Sequence, residues 1–280
     1  MALTASRYGK DRVRVMRLTR DGDHHVPREL ALSVLMTGRF DAAWTEGDNR
    51  SCIATDSVKN IVNVTAARNL ALDKEAFVAA VAQVLLDTYA QVEAVAIEAE
   101  ETRWLRHAIA GVPHGHTFTR DGNGVGFVGL AAGRAGTTLR SGLRGYTFMK
   151  TTQSGWADFV DDGYRTLPDT TDRIAATSMD ATWTWSATPG DYEGANTRIL
   201  STLLAVFGTT YSRSVQDSMY RMGEAVLADV PEVAEIAFVM PNKHYVPIDL
   251  KPFGLENPGT VFLPTDEPHG RIEATIARTG

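Results

Sequence analysis

The chain is poor in cysteine, and Cys52 is the only one among its 280 residues. A single thiol can form neither an intrachain disulfide nor the thiolate clusters that hold zinc or iron–sulfur centres. The sequence also lacks an apolar run near the ~20 residues that span a bilayer, and its first residues lack a signal-peptide pattern. These absences predict a cytoplasmic protein that has no membrane partner.

Clustered positive charge is missing as well. The 28 Lys and Arg residues are scattered among 34 Asp and Glu residues, which gives a formal net charge of -6. Because phosphate backbones are bound by clustered basic residues, we expect no nucleic-acid partner. A hydrophobic content of 44% is typical of a globular protein with a sizeable core, in one large domain or two of ordinary size.

Glycines are frequent in residues 122–136, but they do not follow a nucleotide-binding pattern. The segment Gly122-Asn123-Gly124-Val125-Gly126 is not followed by Gly-Lys-Ser or Gly-Lys-Thr, and no clear helix start follows it. The pattern therefore indicates a flexible hairpin rather than a phosphate loop. We predict no nucleotide cofactor.

The apolar periodicity predicts strands that are grouped apart from helices. Alternation with a period of two predicts strands over residues 30–36 and 179–185, whereas spacings near four and seven predict helices over residues 77–85, 199–207 and 215–226. Asp73 and Ser214 are suitable N-caps for two of these helices. This grouping favours an α+β fold with antiparallel sheets over a doubly wound parallel sheet.

A weak internal repeat divides the chain into two modules. A helix that ends near Tyr89 leads into an apolar run over residues 92–97, and a helix that ends near Asp229 leads into a similar run over residues 233–239. Each half is predicted to contain two strands, helices and two more strands. We place the modules at residues 1–136 and 137–280, with the glycine-rich segment between them.

Five short polar segments carry residue types suited to catalysis or binding. They are Arg7-Tyr8-Gly9-Lys10-Asp11, Ala54-Thr55-Asp56-Ser57-Val58-Lys59-Asn60, Thr171-Asp172-Arg173-Ile174, Ser214-Val215-Gln216 and Pro241-Asn242-Lys243-His244-Tyr245. The last segment closes an apolar run over residues 236–240. On an extended strand Asn242 and His244 point to the same face, where an amide and an imidazole could hold a small polar ligand and pass protons.

Each segment alone also has an ordinary structural interpretation. Lys10, placed just before a predicted strand over residues 12–18, could be a solvated lysine. Thr55 or Asp56 could cap a helix, although a helix start also suits an anionic ligand. Arg173 could pair with Asp169 or Asp172, and it could equally serve as a planar donor fork for a ring that presents carbonyl and N–H edges.

Together, and in this order, the five segments resemble the urate oxidase (uricase) family, over residues 7–278. The resemblance implies a tandem T-fold: two antiparallel-sheet modules, each with helices packed on one face, which assemble into a barrel-like homotetramer with active sites at subunit interfaces. It also implies a cofactor-independent oxidoreductase of purine degradation. The reaction implied converts urate, O2 and water to 5-hydroxyisourate and H2O2.

The resemblance also assigns roles residue by residue. It implies a catalytic proton relay of Lys10, Thr55 and His244, in which Lys10 and Thr55 reach the site from the neighbouring subunit. Asn242 then lies at the oxygen site, and Arg173 and Gln216 hold the edges of the urate ring. The implied substrate-binding residues are Asp56, Trp156, Leu167, Arg173, Val215, Gln216 and Asn242.

The chain departs from the family pattern at Trp156, where the family has its stacking phenylalanine. An indole can stack on a purine-like ring but occupies more space than a phenyl ring. One alternative is therefore a divergent oxidase that acts on another purine-like heterocycle, and another is a non-catalytic T-fold binding subunit. A zinc site at His107, His114 and His116 is a further option, because zinc-dependent pterin enzymes share the T-fold, but no Glu or Cys completes a ligand set and we predict no metal.

Overall fold

The computed structural model describes residues 1–279, which form two compact units, Met1–Gly142 and Leu143–Gly280. The division lies inside one strand, Gly136–Lys150, at whose first residue the sequence-based boundary was placed. That boundary stays a prediction about the repeat. Both units contain antiparallel strands and a small number of helices, so the predicted α+β class is confirmed.

The elements follow in chain order with these bounds. The strands are β1 (Tyr8–Asp21), β2 (His24–Gly38), β3 (Val92–Thr102), β4 (Trp104–Ile109), β5 (Val112–Arg120), β6 (Val125–Gly133), β7 (Gly136–Lys150), β8 (Ala175–Trp185), β9 (Val233–Pro247) and β10 (Phe262–Ala277). The helices are α1 (Asp41–Thr45), α2 (Thr55–Arg68), α3 (Lys74–Thr88), α4 (Tyr192–Thr209) and α5 (Val215–Asp229), with a short 3-10 helix at Lys251–Phe253. No helix within residues 1–279 is long and apolar enough to cross a membrane.

The first unit packs α2 and α3 against one face of its sheet. Its antiparallel strands lie in the order β1-β2-β3-β6, and β4 pairs with β5 as a separate hairpin. Alternate residues of β2 are buried and so are the helix positions at spacings of three and four, which is the pattern that the sequence predicts. The fully buried core residues include Leu32, Val34, Val58, Val62, Phe77, Val81, Leu85 and Ile97.

The second unit repeats this arrangement with α4 and α5 and the strand order β8-β9-β10. Alternate residues of β8 and β9 are buried together with the apolar stripes of both helices. The buried set includes Met179, Trp183, Ile199, Leu203, Met219, Met222, Val226, Ile236, Phe238 and Met240. The N-cap predictions are confirmed, because Asp73 accepts a hydrogen bond from the Ala76 amide and Ser214 accepts one from the Asp217 amide.

Two sequence-based expectations were wrong in detail. Residues 125–133 are strand β6, in which residues 126–130 and Ala132 are buried, rather than part of a flexible hairpin. The glycines there allow close packing, since a Cβ at Gly126 would lie 2.7 Å from a carboxylate oxygen of Glu101. Lys10 lies inside β1 rather than before it, because β1 continues past an irregularity between Lys10 and Val13.

That irregularity is a β-bulge that determines where Lys10 points. Lys10 pairs with Val34 and Val13 pairs with Leu32, so β1 carries one residue more than β2 between the two pairs. Directly paired residues share a face, and Val34 and Leu32 both face the helices. The bulge, at which Arg12 has a φ of 52°, therefore places both Lys10 and Val13 on the helix side of the sheet.

Gly9 makes the pairing beside Lys10 possible, because a Cβ at this position would lie 1.8 Å from the carbonyl oxygen of Val34. We expect Gly9→Ala to lower the free energy of unfolding by about 1–3 kcal/mol, as overpacking does. Urea denaturation of the purified variant measures this change. Gly208→Ala is the matched control: it lies in open space in α4, and the change should stabilise the protein by roughly 0.5 kcal/mol. Equal midpoints for wild type and Gly9→Ala would contradict the steric argument.

Candidate active site

Lys10 lies beside the start of α2 in the first unit. The Tyr8 hydroxyl accepts a hydrogen bond of 2.7 Å from the Ile53 amide, and the Tyr8 ring packs edge-on against Phe40 at 4.9 Å. Burial raises the pKa of Tyr8, so its hydroxyl stays protonated at neutral pH. These contacts tie the segment before α2 to β1, and thereby fix Thr55 relative to Lys10.

The segment does start a helix, as predicted, but neither Thr55 nor Asp56 caps α2, so the capping interpretation of these residues was wrong. The N-cap is Ala54, which makes no side-chain cap, and α2 begins at Thr55. Asp56 instead contacts the Lys59 ammonium and accepts a 3.1 Å hydrogen bond from the side-chain amide (Nδ2) of Asn60. Lys59 is the main cause of the lowered pKa of Asp56, and Lys10 adds a weaker effect. The Thr55 hydroxyl is thus not used for capping, and Lys10 lies within electrostatic range of the first turn.

In the second unit a cleft lies where the core face of the sheet meets the start of α5. Asn242 on β9 pairs with Thr177 on β8 and continues the face on which Met240 is buried. Val215 is the first residue of α5 and lines the same cleft. The alternation of β9 also puts the half-buried His244 on this face, two residues beyond Asn242.

Arg173 enters the cleft without a charged partner. Its amide donates a 2.8 Å hydrogen bond to the Ser154 carbonyl, which fixes the backbone, but its buried Nε has no hydrogen-bond partner within residues 1–279. Asp172 accepts from Thr152 and the Gln153 amide, so the expected pairing of Arg173 with an aspartate is wrong. Burial lowers the pKa of Arg173 from its ordinary value. An unpaired buried cation favours an anionic or carbonyl-rich ligand.

Thr177 supplies a second buried polar atom without a partner in this cleft. Its hydroxyl oxygen makes no hydrogen bond to any residue that the structure describes. Buried polar groups are nearly always satisfied, so two unsatisfied groups that line one cleft indicate a polar ligand. The sequence-based prediction did not include Thr177. Thr177 lies opposite Asn242 on the neighbouring strand, so it could have been found only if the pairing of β8 with β9 had been known.

Lys150 holds the end of α4, where Phe207 lines the cleft. The sequence-based prediction assigned no role to this lysine. Its ammonium donates hydrogen bonds of 3.0 and 2.8 Å to the carbonyls of Phe207 and Thr210, at the end of α4. Burial lowers the pKa of Lys150. The carbonyls at a helix C-terminus carry partial negative charge and lack backbone partners, so a lysine there stabilises them. Lys150 thus fixes the connection from α4 to the Ser214 cap of α5.

Three other predicted binding residues, Trp156, Leu167 and Gln216, are not among the residues that line the cleft. Trp156 is half-buried and its ring stacks on Phe159, with centroids 5.2 Å apart. Leu167 is 64% exposed, and Gln216 is exposed in the first turn of α5. The space that the cleft residues enclose is about 10 Å³, which suits roughly one water molecule. A larger ligand would therefore extend beyond the space that these residues enclose.

The histidines that suggested a metal lie in the first unit. The rings of His114 and His116 are 4.5 Å apart, and His116 also contacts His25 at 5.7 Å. Within residues 1–279 no group of three or more His, Cys, Asp and Glu side chains is arranged to hold a metal ion. Arg106 lies among these residues and donates to the carbonyls of His25 and His114. The cluster thus joins the β4–β5 hairpin to β2.

Comparison with known proteins identifies the family. The family model described as Uricase matches residues 6–128 and 139–273. This chain belongs to the uricase family. It is 35% identical to the uricase of Arthrobacter globiformis over 280 residues, which cover all of this chain and 91% of that protein. It is also 35% identical to the uricase of Aspergillus flavus, with 99% and 97% of the two chains covered.

Solved uricase structures share the fold. The crystal structure of uricase from Arthrobacter globiformis superposes with a TM-score of 0.94 over all of this chain and 96% of that one. The uricase from Bacillus fastidious, at 23% identity, superposes with a TM-score of 0.86. The predicted family resemblance and the tandem T-fold chain are therefore confirmed, and uricase homology identifies the chain as an oxidoreductase.

The unpaired state of Arg173 generates a stability prediction. Replacing a half-buried charge whose buried Nε has no hydrogen-bond partner by an apolar side chain of similar length relieves its desolvation, so Arg173→Met should stabilise the unliganded protein by about 1 kcal/mol. Differential scanning calorimetry should show a midpoint roughly 2–4 °C higher. Arg278→Met is the matched control and should lower the midpoint, because Arg278 donates to the carbonyls of Val233 and Val230. A lower midpoint for Arg173→Met would mean that Arg173 has a stabilising partner.

Proposed function

We propose that this member of the uricase family oxidises urate with O2 and water to 5-hydroxyisourate and H2O2, without a cofactor. The observation that carries the proposal is the pair of unsatisfied buried polar groups, Arg173 Nε and Thr177 Oγ1, in a cleft that Asn242 and Val215 also line. Urate presents anionic carbonyl and ring nitrogen edges, which complement a guanidinium and a hydroxyl. Relatives over the full chain length are named uricase.

The proposed chemistry needs a base and a polar oxygen site rather than a cofactor. A urate dianion is electron-rich enough to donate two electrons to O2, which leaves as H2O2 once two protons are added. The hydroxyl of a water then forms a bond to C5 of the ring, and the water's remaining proton goes to the relay. We assign the oxygen and water position to Asn242, which lies beyond buried Met240 on β9.

We assign the proton relay to Lys10, Thr55 and His244. Lys10 faces α2 because of the bulge in β1, and Thr55 begins α2 without capping it. A lysine and a hydroxyl held side by side can pass a proton to and from a bound ring. His244 follows Asn242 on the same strand face and can exchange that proton with solvent. Asp56 and Lys59 form the charged rim beside Thr55.

We propose that the site is completed at the interface of a homotetramer. The cleft of the second unit encloses only about 10 Å³, so residues from elsewhere must cover a bound purine. The family resemblance implies that the partner subunit's Lys10 and the partner subunit's Thr55 cover the bound purine. The ring is then held from the other side by Arg173, Val215, Gln216, Leu167 and Trp156.

We also propose a cytoplasmic location. Cys52 is a free thiol, which is consistent with a reducing cytoplasm.

A second candidate function is oxidation of a different purine-like heterocycle. The observation that favours it is Trp156, whose indole replaces a phenyl group at the stacking position and is held against Phe159. A larger aromatic face changes which ring substituents fit. Trp156→Phe separates the candidates: a urate oxidase should keep its activity, whereas an enzyme for another ring should gain activity on urate from a low starting value.

The direct test is an assay of urate absorbance loss and peroxide formation with purified, chelator-treated protein. Xanthine and methylated urates serve as comparators. We expect equal molar amounts of urate consumed and H2O2 produced, with no effect of added flavin or EDTA. Absence of turnover with urate, or restoration of a chelated sample by zinc, would overturn the proposal.

The relay predicts separate effects on turnover and on binding. Lys10→Met and Thr55→Ala should each lower kcat by about 10²-fold, as lost acid–base catalysis does, while the Kd for xanthine stays close to that of wild type. Stopped-flow assays and calorimetry measure the two quantities. The exposed Lys251 gives the control variant Lys251→Met, which should keep full turnover. A wild-type kcat in Lys10→Met would remove Lys10 from the relay.

The shared site predicts complementation between inactive variants. If the partner subunit's Thr55 completes a site that contains Arg173, mixed tetramers of Thr55→Ala and Arg173→Ala subunits should contain some sites with both native residues. Activity should therefore reappear after the two variants are dissociated and reassembled together. Each variant reassembled alone is the control. Mass spectrometry should verify the mixing, and inactive mixed oligomers would show that each chain builds its own site.

A further inference from the structure

Residues 156–170 form a loop that is closed at its neck and held by its own side chains. The Trp156 amide donates to the Thr170 carbonyl at 2.8 Å, and the Thr170 amide donates back at 2.9 Å. No helix or strand lies between these two residues. A compact loop of this kind depends on internal contacts rather than on a backbone ladder for its conformation.

A three-layer stack lies at one side of this loop. The rings of Trp156 and Phe159 are 5.2 Å apart and inclined by only 16°. The guanidinium carbon of Arg165 lies 4.0 Å from the centroid of the Phe159 ring. Phe159 is thus packed between the Arg165 guanidinium and the Trp156 indole. The ring–ring contact is stabilised by dispersion and the guanidinium–ring contact by cation–π attraction.

Arg165 is itself held in a fixed orientation. Its Nε donates to the Leu167 carbonyl at 3.0 Å, and one terminal nitrogen bonds to the Asp169 carboxylate at 2.7 Å. The other terminal nitrogen donates to the Phe159 carbonyl at 3.4 Å. These contacts fix the plane of the guanidinium in three directions, which a lysine ammonium cannot reproduce.

We propose that Arg165 is a positioning residue that sets the plane of the Trp156 indole and thereby selects for a flat heterocyclic substrate. This inference rests on the proposed function, in which the indole stacks on the substrate ring. Phe159 covers one face of the indole, so the opposite face remains for the ligand. Arg165 also donates to the Leu167 carbonyl, so one side chain orients Leu167 directly and Trp156 through Phe159, both of them predicted binding residues.

The kinetic test uses Arg165→Gln, Arg165→Lys and the control Arg198→Gln. Stacking acts on bound substrate and transition state alike, so both Arg165 variants should raise the KM for urate about three- to tenfold with little change in kcat. The control removes the exposed ion pair of Arg198 with Asp229 and should leave both constants unchanged. Wild-type KM in Arg165→Lys would overturn the proposal, because charge alone would then suffice.

A double-mutant cycle distinguishes positioning from general support of the fold. If Arg165 acts through the indole, Arg165→Gln should have little further effect on KM in a Trp156→Ala background. Equal effects in both backgrounds would overturn the proposal. A near-ultraviolet circular dichroism difference, wild type minus Trp156→Phe, should also shrink in the Arg165→Gln background. This measurement needs no substrate, so it decides the role of Arg165 even if the protein does not oxidise urate.

Discussion

The alternation of β9 is the constraint on which the candidate site depends. Side chains of a strand point to opposite faces in turn, so the face that buries Phe238 and Met240 must continue through Asn242 and His244. The sequence changes from apolar to polar on that face without leaving the strand. The polar groups therefore occupy positions as fixed as those of the core, which is what preorganised binding of a ligand requires.

The second contribution to the site is an imbalance of charge. Arg173 is held by its backbone, and within residues 1–279 its side chain has no carboxylate partner and the Thr177 hydroxyl in the same cleft has no hydrogen bond. Both groups are costly to bury. In the proposed function a ligand would complete these hydrogen bonds, so the same two side chains would lower the stability of the unliganded protein and contribute to binding.

Periodicity predicted the helices and the buried strands because packing on one sheet face imposes it directly. The polar segments were also recognisable, since Lys10, Arg173 and Asn242 belong to motifs that resemble a known family. The site features that the sequence did not predict depend on strand register and on loop conformation. Thr177 became visible only through its pairing with Asn242, and the stack of Trp156 with Phe159 arises in a loop that has no periodicity. The strand β6 was not predicted because frequent glycines are also typical of turns.

The bulge in β1 lets the strand carry one extra residue while Lys10 and Val13 stay on the same face of the sheet. Three steps along β1 from Lys10 to Val13 correspond to two along β2. Deleting one residue there would restore regular pairing, with Lys10 still opposite Val34 and Val13 still opposite Leu32, so both side chains would keep facing the helices. Among relatives of this chain, a gap of one residue at this point is therefore compatible with a lysine that points to the same side of the sheet.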